Sequence, residues 1–246
     1  MELTVVGCSG SFPGPGSAAS CYLVVAEQFR LVLDLGNGAL GVLQRFAGLD
    51  DINAICVSHL HADHCLDMCG YRVARVYNPA GPLRRIPVYG PAGTAERLDR
   101  AAGPDVTAGM ADSFDFVALT PGRIGIGPFE VTVDHMNHPV ETFGFRLEHA
   151  GRAIAYSADT GPSEQLVDLA SGADTLLCEA TFSDGPDLPP DLHLTAGQAA
   201  DHASRAGVAR LVLTHLPPWN DPQRSLAEAS ARFRGPITLA SPGQRY

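Results

Sequence analysis

No apolar run in this 246-residue sequence reaches the roughly 20 residues a bilayer-spanning helix needs, so no membrane span is expected. Charge is also scarce, at 18% of residues, and it has the wrong sign for gripping long nucleic acid. Arg and Lys number 17 against 27 Asp and Glu, for a net charge of −10. Binding to a long phosphate backbone is driven by neutralising phosphates and releasing counterions, and it leaves a basic stripe in the sequence. The arginines here are dispersed, with Arg72, Arg75, Arg84 and Arg85 the only concentration. Long RNA is therefore disfavoured, while a small phosphorylated substrate stays open, because bound metals can outweigh the global field. The six cysteines contain no CxxC pair and mostly sit in apolar, strand-like runs. Buried free thiols in a reducing cytoplasm are expected rather than a disulfide framework. The start reads as a strand, without the basic segment and cleavage site of a signal peptide.

What the sequence has is apolar residues (45%), 26 Gly and 19 Pro, enough for one large core with many short elements and shaped loops. Runs rich in Val, Leu and aromatics predict strands over 3–8, 22–26, 29–34, 54–57 and 86–89. A second series is predicted over 114–119, 129–135, 142–148, 153–157, 175–179, 211–214 and 237–240. Helices fit 38–46, 63–76, 92–101, 163–170, 195–206 and 225–233. Strands then helices, twice over and without a composition break, predict one domain over 1–246 with internal pseudo-symmetry. Its class is α/β (α+β), a four-layer αββα sandwich of two stacked sheets.

The strand at 54–57 runs straight into Ser58-His59-Leu60-His61-Ala62-Asp63-His64. Side chains two apart on an extended chain point to the same side, so His59 and His61 can reach one cation. Asp63 and His64 follow where the chain turns into a helix, offering a carboxylate and an imidazole to a second. Imidazole and carboxylate ligands without thiolates suit zinc, manganese or iron in an open, catalytic site. A lone His is more often a core or surface residue; three His and an Asp within six positions are not.

The string SHLHADH resembles the H-x-H-x-D-H signature of the metallo-β-lactamase superfamily. Three later segments match its remaining motifs: HMNHPVETFGF with His138, IAYSADTG with Asp159 and LVLTHLPP with His215. The resemblance implies the metallo-β-lactamase fold and a dinuclear centre, with zinc first and manganese as the alternative. It assigns His59, His61 and His138 to one metal, Asp63, His64 and His215 to the other, and Asp159 as the bridge. His135 competes with His138, and the Pro and FGF that follow favour His138.

GCSGS (7–11), CEATF (178–182) and HLT (193–195) are similar to the ribonuclease Z-like branch. There the Glu and the His assist proton movement at phosphate, which carries to Glu179 and His193; Asp63 joins them as a catalytic candidate while also serving as a ligand. Two adjacent cations clamp the attacking and leaving oxygens of an in-line displacement at phosphorus, so phosphodiester hydrolysis is the reaction expected. True ribonuclease Z proteins carry a long Gly/Pro-rich arm for tRNA, and no such arm is evident. The chain is most similar to short, arm-less cyclic-nucleotide phosphodiesterases of the mycobacterial atypical class II, through GCSGSFPGPGSAAS, SHLHADHCLDM, HPVETFG and PPDLHLTAGQAA. That resemblance implies a 3′,5′-cyclic nucleotide such as cAMP as substrate and a homodimer, while the unpaired cysteines predict a cytoplasmic location. The alternatives are a tRNA 3′-end endonuclease and a lactone or thioester hydrolase. Softer candidates are the 13–20 loop as a pocket wall, Trp219 near the site through its closeness to His215, and Tyr71, Arg75 and Tyr77 on the helix after the metal run. Helix packing is the plainer reading for those last three, and a solvent-facing or locally bonded role for His149 and His202.

Overall fold

A computed structural model describes residues 1–103 and 109–246 of the chain. Strands β1 (Glu2–Gly7), β2 (Cys21–Ala26) and β3 (Phe29–Leu33) form an antiparallel meander. The short helix α1 (Ala39–Leu43) leads to β4 (Ala54–Cys56), which pairs parallel to β3. Helices α2 (Ala62–Cys65) and α3 (Asp67–Val76), strand β5 (Ile86–Gly90), helix α4 (Thr94–Ala102) and strand β6 (Phe114–Ala118) complete a six-stranded sheet in sequential order.

The second half repeats this plan. Strands β7 (Gly122–Ile126), β8 (Phe129–His135), β9 (Phe143–His149) and β10 (Arg152–Tyr156) are antiparallel. After α5 (Glu164–Ala170), strands β11 (Thr175–Glu179), β12 (Leu211–Thr214) and β13 (Ile237–Leu239) run parallel to β10, with α6 (Ala196–Ala206) and α7 (Pro222–Ser230) between them. The result is a seven-stranded sheet ordered β13-β12-β11-β10-β9-β8-β7.

Alternation within each strand gives every sheet two apolar faces, and three clusters fill the layers between them. Leu3, Tyr22, Leu31 and Leu33 of the first sheet meet Phe129, Phe145, Tyr156 and Val212 of the second, while Met68, Tyr71 and Leu98 cover the first sheet's outer face. Leu166, Leu169, Ala199 and Ala203 cover the outer face of the second. This is the predicted four-layer sandwich. The edge of β1 does not stay open: Leu3 and Val5 pair with Tyr246 and Gln244, so the C-terminal strap blunts it.

The structure corrects several predicted elements. Strand β7 was not expected, because Gly122 and Gly125 interrupt the apolar alternation that would announce it. Helix α7 starts three residues earlier than expected, where Asp221 caps Gln223 N–H and Pro222 takes the first turn. The helix expected over 63–76 breaks at Leu66 into α2 and α3. Tyr71 and Arg75 lie inside rather than on the helix surface: the Tyr71 hydroxyl and the Arg75 guanidinium both reach the Leu49 carbonyl. Tyr77 is exposed. His202 is buried and locally bonded, accepting Ser163 N–H and facing the Gln198 carbonyl. All six cysteines are free, and burial pushes the Cys65 thiol up to about 12. No helix among the described residues is long and apolar enough to cross a membrane.

Candidate dinuclear metal centre

The carboxyl ends of β3, β4, β8, β10, β11 and β12 open onto one edge of the sandwich, and residues at or just past those ends converge there. From β4 come His59, His61, Asp63 and His64; from β8, His138; from β10, Asp159; from β11, Glu179; from β12, His215. Backbone positions at this edge that are left-handed without being glycine include Ser11 (φ 63°), Asp34 (φ 58°), Ala158 (φ 51°) and His215 (φ 58°). Such conformations cost on the order of 1–3 kcal/mol each and persist where surrounding contacts hold them.

Seven of the residues picked from the sequence form two clusters. In the outer one, His59 Nε2 lies 3.0 Å from His61 Nδ1, which lies 3.3 Å from His138 Nε2. Asp159 Oδ2 is 3.6 Å from His59 Nε2. In the inner one, His64 Nε2, His215 Nε2 and Asp63 Oδ2 are separated by 3.2, 3.1 and 3.5 Å. Asp159 Oδ1 stands 3.2 Å from His64 Nε2 and 3.4 Å from His215 Nε2. Four ligand atoms at about 2.0–2.1 Å around a tetrahedral zinc would sit about 3.3–3.4 Å apart. The observed separations fit two such polyhedra sharing Asp159.

The protons are arranged to leave those atoms free. His59 Nδ1 faces Ser58 Oγ at 3.1 Å, and His64 Nδ1 donates to Asp34 Oδ2 at 2.8 Å. His138 Nδ1 donates to the Leu192 carbonyl at 2.8 Å. Thr181 Oγ1 lies 2.9 Å from His215 Nδ1 while donating its own proton to the His215 carbonyl. Each of these four rings therefore turns Nε2 toward the centre with its tautomer fixed, as metal-ligating imidazoles require. His61 alone presents Nδ1.

The electrostatics point the same way. Burial lowers the pKa values of His59, His61 and His138, keeping them neutral with lone pairs available. Burial alone would raise Asp63 and Asp159, yet His215 and His64 hold both carboxyl groups below the usual range. Burial also opposes a proton on His64, but Asp159 and Asp34 override it and push its pKa up. This dry cluster draws in positive charge, which a cation supplies. Asp159 Oδ1 is buried with no hydrogen-bond donor among the described residues, as a metal-facing oxygen should be. The residues present fit two divalent cations.

Beside the inner cluster, Glu179 and His193 form a pair. Glu179 Oε1 accepts His193 Nδ1–H at 2.8 Å and Thr160 N–H at 2.8 Å, and Oε2 accepts Thr181 N–H at 3.2 Å. Burial disfavours a proton on His193, but the Glu179 hydrogen bond and charge raise its pKa above the usual imidazole value. The His193 ring lies 5.4 Å from that of His138 and 5.6 Å from that of His215, facing the space between the clusters. His135 does not join them: it is exposed and stacks on Phe143 at 4.8 Å.

Reading the sequence missed Asp34. It is fully buried and accepts Ser58 N–H, Ser58 Oγ–H, His64 Nδ1–H and the Tyr156 hydroxyl at 2.7–2.8 Å. Its one signal in the sequence is an acidic residue closing the mostly apolar run 29–34. Gly36 lets that turn press on the ligand run; a Cβ there would lie 1.9 Å from the Asp63 carbonyl oxygen.

Comparison with known proteins places this geometry in context. The family model described as Beta-lactamase superfamily domain matches residues 30–216. The protein ML1173 of Mycobacterium leprae is 42% identical over 251 residues, covering 100% of this chain and 88% of the relative. Ribonuclease Z of Mycolicibacterium gilvum is 32% identical over 269 residues, covering 97% and 93%. The crystal structure of the metallo-beta-lactamase fold protein YhfI from Bacillus subtilis superposes with a TM-score of 0.90 at 26% identity, covering 100% of this chain and 98% of that one.

Proposed function

The chain belongs to the beta-lactamase superfamily as a metallo-hydrolase of its ribonuclease Z-like branch, and we propose that it is a phosphodiesterase acting on 3′,5′-cyclic nucleotides, cAMP foremost. His59, His61 and His138 hold one divalent cation in this reading; Asp63, His64 and His215 hold the other, and Asp159 contacts both. Zinc suits the donor set best, with manganese as the alternative. Two such cations neutralise a phosphodiester and lower the pKa of water toward neutrality.

The observation that carries the reading is the Glu179–His193 pair set against the inner cluster, with Glu179, His193 and His215 offering ligand atoms within 4.8 Å of one another. Hydrolysis at phosphorus breaks a P–O bond, and the departing alkoxide needs a proton. With Nδ1 committed to Glu179, His193 Nε2 is the atom left to deliver it, and the Glu179 carboxylate steadies the imidazolium beforehand. Asp63 acts from within the inner cluster. A thioester hydrolase, whose departing thiolate is stable near neutral pH, has less use for an acid placed here.

Two observations favour a small substrate over tRNA. The alignment with Ribonuclease Z spans 269 positions, more than the 246 residues this chain possesses, so that relative carries inserted sequence absent here. The one concentration of arginines also faces inward in part: Arg72 binds Asp112 and the Gly109 carbonyl, and Arg75 is buried.

The test is a comparison of kcat/KM for cAMP, cGMP, cyclic pyrimidine nucleotides, a precursor tRNA and a lactone on metal-loaded protein. Cyclic-nucleotide turnover abolished by a chelator and restored by zinc or manganese is expected. Robust tRNA cleavage without cyclic-nucleotide turnover would overturn the reading.

A further inference from the structure

Trp219 is the single tryptophan of the chain, and it is 71% exposed. Its neighbour in space is Phe12, 38% exposed, with ring centroids 4.9 Å apart and planes tilted by 45°. Isolated exposed apolar residues need no explanation, but two large rings leaning together in solvent form an apolar surface with something to cover it. The pair is anchored to the metal centre from both sides. Phe12 follows Ser11, which is left-handed at φ 63° and directs its N–H at His215 Nε2, 3.4 Å away. Trp219 precedes Asn220, whose side-chain amide donates to the carbonyl of Thr181, the residue that fixes the His215 ring. Gly10 N–H donates to the Leu216 carbonyl and clasps the two loops together.

The Ser11 contact carries a chemical consequence. His215 Nε2 has one lone pair, and it cannot both bind a cation and accept the Ser11 N–H. With the cation in place, that N–H is left to turn to an acceptor beside the His215 ring, and a phosphoryl oxygen of the substrate meets the requirement. Phosphate at Ser11 puts the remainder of a nucleotide beside the next residue, about 3.8 Å along the chain. That residue is Phe12.

We infer that Phe12 and Trp219 form the platform on which the nucleobase of the substrate stacks, which rests on the cyclic-nucleotide reading above. Every base has a π-face, so the platform supplies affinity for nucleotides as a class and favours the larger purines by contact area. It acts in ground-state binding, away from the reacting phosphorus, so its signature is in KM rather than kcat.

The sole tryptophan makes the protein its own probe. Titration of metal-loaded protein with a phosphorothioate analogue of cAMP is expected to change Trp219 emission saturably, and a base-free ribose 3′,5′-cyclic phosphate is expected to leave it unchanged. Trp219→Ala and Phe12→Ala should each lower the ratio of kcat/KM for cAMP to that for the base-free compound by about 5- to 150-fold, through KM, with Trp219→Tyr restoring most of it. If cAMP is hydrolysed while emission and ratio stay constant, the platform is wrong and the phosphodiesterase reading stands. If cAMP is not hydrolysed but the analogue still changes the emission saturably, the platform stands and the activity reading falls. Dissociation of a dimer by Trp219→Ala in sedimentation velocity, with the ratio unchanged, would assign the rings to a contact between copies and overturn the inference.

Discussion

The outer cluster meets at the mouth of the cleft, with His61 exposed and His138 half-buried, whereas every member of the inner cluster is buried. The outer one brings three imidazoles, made neutral by burial, and borrows one oxygen of Asp159. The inner one brings its own carboxylate, Asp63, and is backed by a second, Asp34, behind His64. Negative charge in a water-poor setting holds a cation more strongly than neutral donors near solvent do. The inner position should therefore bind first and release last, with the outer one filling and emptying in exchange with solvent. The two clusters also differ in construction. Six consecutive residues supply two candidate ligands to each; the outer one is completed by His138, and the inner one draws on two distant strand ends, Asp34 and His215.

The largest expected effect comes from the residue the two clusters share. Asp159→Asn keeps the shape and removes the negative charge that faces both positions. Metal content should fall at both, and activity should drop by more than the roughly 10–100-fold that changing a ligand's supporting partner costs. Elemental analysis after dialysis against a weak chelator checks this. Retention of both equivalents would mean that Asp159 bridges nothing.

Asp34→Asn separates the clusters. It removes the anionic partner of His64 and leaves His138 with its own support, the Leu192 carbonyl. Inner-site affinity should fall by roughly 10–100-fold while the outer site still titrates. Metal titration followed by calorimetry resolves the two steps. An equal loss from both sites would show that Asp34 organises the whole edge through Ser58, and the contrast between inner and outer would disappear.

How legible each part was follows from the same contrast. The run from His59 to His64 could be read because its ligands are contiguous and their spacing has a geometric meaning. His138, Asp159 and His215 were found only through family motifs, since nothing local marks a His after a strand as a ligand. Asp34 and Thr181 escaped because their roles arise where strand ends 24 and 34 residues away in sequence are brought alongside. The alternation of apolar residues predicted both stacked sheets, but it failed at β7, where glycines carry no side chain to alternate. The start of α7 was marked by Asp221-Pro222, a capping signal outweighed by the later apolar residues.

Thr181→Val tests the inner cluster more gently. It deletes the oxygen facing His215 Nδ1 and leaves that buried N–H without its partner. Losing one neutral hydrogen bond of this kind corresponds to about 3- to 10-fold in inner-site affinity, less than the charged Asp34 contact. If the loss matched that of Asp34→Asn, the strength of the inner site would come from ring orientation rather than from charge.

The smallest effect is expected at the rival imidazole of the outer cluster. His135 ends β8 and His138 lies three residues further on, and by sequence either could complete the set with His59 and His61. In the structure the His135 ring lies nearly parallel to Phe143, and only His138 brings Nε2 to His61 Nδ1. The Leu192 carbonyl behind His138 supplies the orienting contact that a ligand ring needs, from the same segment that carries His193. His135→Ala should therefore leave metal content at two equivalents and change stability by no more than about 0.5 kcal/mol, the range for an exposed site. A drop to one equivalent would put His135 in the outer polyhedron. It would then detach that cluster from the 192–193 segment, and with it the placement of the proton donor relative to the cleft.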